Sequence, residues 1–138
     1  MAETILLNQM DYVYISETTI PELADGNQIG EMKYEVIVVP QCITLRKTTI
    51  NFLKSFMSQG GRVIFVGSKP EYSDGHRSNY VDILYGEAEN VINEEGSILQ
   101  TLEEHRIVEV CNERGARDLR YLYQLREDDN SVWLFVAK

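Results

Sequence analysis

Two short β-branched runs joined by one amphipathic stretch constrain this chain more tightly than any other feature. YEVIVVP (34–40) holds four consecutive aliphatic residues, Val36 to Val39, and stops at Pro40. A short continuous run of this kind suits a strand buried on both faces, as in a parallel sheet covered by helices. Thr44 then stands where it can cap a helix running to about Gln59. In that helix Ile50, Leu53 and Met57, with Phe52 and Phe56 beside them, form a broad apolar stripe. Gly60-Gly61 stops the helix, because glycine tolerates the left-handed conformation beyond a helix end. RVIFVG (62–67) repeats the doubly buried character. Strand, helix, Gly-Gly, strand is a βαβ unit, since two parallel strands need a crossover of this kind.

Outside this unit the signals are weaker. Residues 2–10 have Ile5, Leu6 and Met10 spaced to cover one helical face, and 11–16 (DYVYIS) alternates as a strand does. Residues 17–27 read as a loop closing at Asp25-Gly26, and 28–33 as a short hairpin-like segment. Beyond Gly67, a polar loop (68–78) precedes a short helix over 79–86 and a small strand over 89–93. A helix over 96–106 capped by Ser97 and a strand over 107–111 follow. The end reads as a hairpin, 119–126 and 131–137 around the turn EDDN. The α/β domain is thus expected over 1–117 and the terminal hairpin over 118–138.

Composition narrows the function classes. The chain has 138 residues, enough for one sizeable core, and a formal net charge of −9. Such an acidic chain lacks the basic face that displaces counterions from nucleic-acid phosphates or docks on anionic lipid. No apolar run approaches the ~20 residues that span a bilayer, and no signal peptide is visible, so neither nucleic acid nor membrane is expected as a partner. Cys42 and Cys111 form no CxxC or Cys/His cluster and read as reduced thiols of a cytoplasmic protein. Neither GxGxxG nor GxxxxGK[ST] occurs, and the loop from Glu17 is too acidic at its start for a flavin phosphate. No cofactor and no metal are expected.

The segment YEVIVVPQCITLRKTTINFLKSFMSQGGRVIFVGSKPEYSDG resembles one common in large bacterial glycoside hydrolases. There it belongs to an amidotransferase-like domain, the trimerisation domain of family 42 β-galactosidases. Similar segments occur in family 106 α-L-rhamnosidase-like proteins and in proteins with family 2-type sugar-binding domains. The resemblance is strongest over residues 28–75, and the tail LRYLYQLREDDNSVWLFVAK looks like a hairpin that leads into a β-sandwich in such enzymes. It implies a three-layer α/β fold, with a mainly parallel flavodoxin-like (class I glutamine amidotransferase-like) sheet and a C-terminal antiparallel hairpin. It also implies that the chain is an accessory piece of a longer enzyme whose separate barrel hydrolyses O-glycosides. Its partners would be the neighbouring domains of that parent, or further copies in a homo-oligomer.

Four residues stand out as candidate ligand contacts: Glu17, Cys42, Ser68 and Trp133. Class I amidotransferases place a catalytic Cys on the turn after a strand corresponding to RVIFVG. Here that turn is Gly67-Ser68-Lys69, with no nucleophile elbow around Ser68. His76 and His105 are the only histidines, and a Ser68/His76 pair has little to recommend it over an ordinary loop. Cys42 precedes a helix N-terminus, which can lower a thiol pKa, but its plainer reading is a small half-buried residue in a β-to-α turn. Glu17 follows a predicted strand end and would reach toward a neighbouring barrel. Tyr12, Tyr14, Tyr121, Tyr123 and Trp133 invite sugar stacking, although aromatics at alternate positions are also simply good strand residues. The expected function is a non-catalytic structural or interaction domain. The alternative is a stand-alone, catalytically vestigial amidotransferase-like module that binds a small ligand near Pro40–Thr44 and Gly67–Pro70.

Overall fold

A computed structural model describes all residues, 1–138. The chain divides into two compact units, Tyr14–Asn93 and a second made of Met1–Val13 with Glu94–Lys138. It is mixed α/β, with small parallel and antiparallel sheets.

The Tyr14–Asn93 unit holds the βαβ core. Strands Val36–Val39, Arg62–Val66 and Glu89–Val91 form a parallel sheet in that order, with Val38 opposite Ile64 and Phe65 opposite Asn90. Helix Lys47–Ser58 crosses from the first strand to the second, and helix Asn79–Glu87 from the second to the third. Ile50, Leu53 and Phe56 of the first helix join Val81 and Leu84 of the second, with Val39, Val63 and Phe65, in one cluster of buried residues. Both helices therefore lie on one face. Successive right-handed crossovers that advance in one direction produce this arrangement, whereas helices on both faces need a reversal of strand order. The sheet is thus not clearly the three-layer flavodoxin-like one expected. Arg62–Val66 nonetheless has the doubly buried character anticipated for it, since Ile64 and Val66 are as buried as Val63 and Phe65.

Local chemistry sets the element ends. The first helix ends in a Schellman arrangement, Gly60 N–H bonding the carbonyl of Met57 (3.0 Å) and Gly61 N–H that of Phe56 (2.9 Å). Gly60 has φ +88°, where a side chain is strained. Ser78 caps the second helix, its Oγ accepting from Tyr80 N–H at 3.2 Å. Thr44 is not a cap: it lies in the two-residue strand Thr44–Leu45, which pairs parallel with Tyr72–Ser73, itself antiparallel to His76–Arg77. Residues 24–33 form a meander of three two-residue strands rather than one hairpin.

The second unit contains helix Ala2–Leu7, helix Glu95–Leu102 followed by a 3-10 turn to His105, and the terminal hairpin. Glu94, not Ser97, occupies the N-cap of the second of these helices. The hairpin pairs Leu122–Glu127 with Val132–Ala137, Leu125 facing Leu134. Two expected strands are absent. Residues 11–16 make no ladder, because the boundary between the units falls inside them and they act as a connector. Residues 107–111 form a single bridge, Cys111 to Arg117, and find other partners for their backbone.

Candidate functional site

Those partners are side chains. Gln9 is 1% exposed with φ +58°, and its carboxamide replaces the missing strand. Its Nε2 donates to the carbonyls of Asp118 (2.7 Å), Val110 (3.3 Å) and Tyr121 (3.3 Å), and its Oε1 accepts from Val110 N–H (2.9 Å). Arg106 works from the other side. Its Nη1 donates to the carbonyls of Asn8 (2.6 Å) and Gln9 (2.7 Å), while Nε and Nη2 grip Glu103 at 2.9 and 2.8 Å. No buried side-chain polar atom in the chain lacks a partner. Neither Gln9 nor Arg106 was marked by the sequence, because their partners are distant backbone atoms, Val110 lying 101 residues from Gln9 and Asn8 98 residues from Arg106.

Hydrogen bonds from Arg106, joined by the charges of Arg106 and Arg117, hold the Glu103 carboxyl at about 2, below its ordinary 4.5. A depressed carboxylate pKa stabilises the fold above the unfolded value, and that contribution is lost as pH falls from about 4.5 toward 2. Thermal unfolding across this window should therefore show a smaller acid-induced drop in Tm for Glu103→Gln than for the parent chain. Glu103 is exposed, so the difference will be modest.

In the Tyr14–Asn93 unit, Glu17 and Cys42 come close and Ser68 stays apart from any nucleophilic machinery. The Glu17 carboxylate accepts from Arg46 N–H (2.8 Å) and from Thr49 Oγ (2.5 Å), and Asp74 accepts from Lys47 N–H (3.2 Å). Two acids remote in sequence thus satisfy two of the orphan donors at the start of helix Lys47–Ser58, where negative charge also meets the positive end of the helix dipole. Glu17 is committed to that helix end. Burial and then the negative charge of Glu17 push the Cys42 thiol up from its ordinary value, the reverse of what a nucleophile needs. At pH 7.5, iodoacetamide is expected to alkylate the exposed Cys111 well before Cys42, as mass spectrometry of tryptic peptides would reveal. Equal rates would mean that the thiol is neither buried nor held up.

Ser68 is exposed, follows Gly67 with φ +86°, and no hydrogen bond joins it to His76 in the Tyr72–Arg77 turn. The end of the central strand is occupied by the protein itself. Gly67 N–H donates to Val91 carbonyl (2.8 Å), Tyr85 OH donates to Gly67 carbonyl (3.2 Å), and a Cβ at Gly67 would collide with the Gln41 side chain. A shallow depression of about 290 Å³ lies nearby, lined by Lys69, Glu71, Arg77, Ser78, Asn79 and Asp82. Its cations are already matched, Lys69 by Asp82 and Arg77 by Glu71 at 3.6 Å. No group of three or more His, Cys, Asp or Glu is arranged to hold a metal ion, and no helix is long and apolar enough to cross a membrane.

Trp133 belongs to a different setting. Val132, Trp133, Leu134, Phe135 and Val136 are 46–64% exposed, and every residue of their strand is exposed. Tyr123 on the paired strand is buried at 7%, whereas Tyr14, outside any strand, is 77% exposed. The aromatics singled out in the sequence thus divide among several surroundings. What the hairpin presents is a continuous apolar strand with no charged residue between Ser131 and Ala137. Large contiguous apolar surface marks protein or membrane contacts, ligand grooves or aggregation-prone edges. No family model matches the chain, and neither the curated proteins nor the solved structures give a match.

Proposed function

We propose that the chain is a non-catalytic interaction module whose working surface is the C-terminal hairpin. The observation that carries this reading is that every residue of the apolar strand Val132–Ala137 is exposed. The acid, thiol and hydroxyl that could have served chemistry have other circumstances. Glu17 caps a helix, burial and the charge of Glu17 push the Cys42 thiol up from its ordinary value, and no hydrogen bond joins Ser68 to a base. The alternative of a ligand-binding module has less behind it, because Gln41 and Tyr85 fill the strand-end turns where a metabolite would sit.

The resemblance over residues 28–75 supports a narrower version: an accessory domain of a bacterial glycoside hydrolase, in a flavodoxin-like three-layer assembly, packed beside a barrel that cleaves O-glycosides. The coding sequence flanking this segment tests that version. A barrel encoded before Met1 and a β-sandwich after Lys138 are expected. A start at Met1 with a stop after Lys138 overturns the accessory-domain reading, and the turns at Pro40–Thr44 and Gly67–Pro70 then become the place to search for a ligand.

A further inference from the structure

We infer that the partner of the hairpin is a second copy of this chain, joined edge to edge along Val132–Ala137 around a two-fold axis at Leu134. The inference rests on the interaction-module reading above and specifies its occupant.

The backbone defines the edge. Asp128 N–H donates to Ser131 carbonyl at 3.0 Å, so that pair is a hydrogen-bonded one, and alternation along an antiparallel ladder makes Arg126/Trp133 and Gln124/Phe135 hydrogen-bonded too. Val132, Leu134 and Val136 therefore turn their N–H and C=O groups outward, away from the paired strand. The opposite edge confirms this parity: Leu125, facing Leu134, points its N–H outward to Asp11 Oδ2 at 3.1 Å.

The two edges differ in what covers them. At Leu125 both backbone groups are occupied, the N–H by Asp11 and the carbonyl by Arg126 Nη1 at 2.6 Å, with Arg126 ion-paired to Asp11 at 2.9 Å. Val132–Ala137 pairs with no second strand and carries neither the charge nor the proline by which soluble proteins guard an edge.

Self-pairing satisfies this edge in one register. With Leu134 opposite its own copy and Val132 opposite Val136, every outward N–H meets an outward C=O. A shift by one residue would set outward groups against inward ones, and a shift by two would leave end groups unpaired. The same register sets Lys138 opposite Asn130 of the other copy, beside the acidic Asp128-Asp129 turn, so opposite charges meet at both ends. A parallel arrangement would instead bring Lys138 against Lys138. The result is a four-stranded antiparallel ribbon built from two two-stranded ones. Its outer edges carry the Asp11 block, so assembly closes at a dimer rather than growing into a filament.

The experiment is sedimentation and cysteine cross-linking of the full 138-residue chain. A mass twice 15.9 kDa is expected for the parent chain. Leu134→Pro should reduce it to the single-chain mass without loss of fold, since the outward N–H of Leu134 serves no bond within the chain and proline is tolerated on an edge. Leu134→Lys, which keeps the N–H but sets two charges across the axis, should do the same. With Cys42 and Cys111 replaced by serine, Leu134→Cys should form a disulfide-linked dimer on oxidation, because hydrogen-bonded antiparallel partners have Cα atoms about 5.5 Å apart. Val132→Cys should link to Val136→Cys and not to itself. A dimer that survives both Leu134 substitutions, or a Val132→Cys chain that links to itself, overturns the proposal.

A monomeric parent chain also overturns it, and hydrogen exchange then separates the two failures. Protection of the Leu134 amide only when the flanking polypeptide is attached would leave the interaction-module reading standing with another occupant. An unprotected Leu134 amide in both forms would remove that reading as well.

Discussion

Gln9→Leu should lower the unfolding free energy by about 2–4 kcal/mol. The glutamine is 1% exposed and its carboxamide is the sole partner of Val110 N–H and of the Tyr121 carbonyl. Leucine matches its size but offers neither donor nor acceptor, so both half-buried groups lose their partner. An orphaned buried polar group costs about 1–3 kcal/mol. The carbonyls of Val110 and Asp118 each lose one of two bonds, since Asp118 N–H and Tyr121 N–H still reach them at 2.8 and 3.2 Å. Leucine at φ +58° bears the same left-handed backbone strain that glutamine already carries, so the backbone adds nothing to the loss. Gln9→Gly loses the same carboxamide but relieves left-handed strain of about 1–2 kcal/mol, so it should cost less than Gln9→Leu. Urea midpoints compared at unchanged m-value would read both losses. A midpoint for Gln9→Leu close to the parent's would mean that the Val110–Tyr121 segment holds itself together without this side chain.

Gly61→Ala should cost about 3 kcal/mol, and Gly60→Ala only about 1. The adjacent glycines serve different ends. Gly60 supplies the positive φ of the helix stop, and the space around its Cα is open. Gly61 has no positive φ, but a Cβ there would run into the ring of Phe56. That ring is fully buried and stands 6.0 Å from the ring of Phe52, so it has little room to retreat. A smaller side chain at position 56 should relieve the collision. Phe56→Leu is destabilising alone, but combined with Gly61→Ala it should cost less than the sum of the two, a coupling that a double-mutant cycle measures. Equal effects at Gly60 and Gly61 would show that the ring moves freely.

Much of the Tyr14–Asn93 unit was legible because its signals are local. Four aliphatics in a row, a helical stripe, a glycine pair and a second apolar run leave few ways to fold, and strands Val36–Val39 and Arg62–Val66 pair in parallel around helix Lys47–Ser58 as expected. The hairpin was legible for the same reason, two β-rich runs about a polar turn, although its first strand begins about three residues later than expected and takes in Glu127 from the expected turn. The strands expected over 11–16 and 107–111 had the right residue pattern and no partner strand. Alternation describes how a side chain would sit in a sheet without saying that a sheet is there.

Distance along the chain separates the two kinds of knowledge. Periodicity within a dozen residues determined the βαβ unit, its glycine stop and the antiparallel hairpin, since hydrophobic burial acts on local pattern. The tertiary structure alone decided that both crossover helices share one face, that Glu17 caps a helix begun 30 residues later, and that Gln9 and Arg106 stand in for a strand. It alone also left Val132–Ala137 open while closing the edge at Leu125. These outcomes depend on which polar group reaches which backbone atom across the fold, and a hydrogen bond between distant residues leaves no trace in the order of the residues beside it.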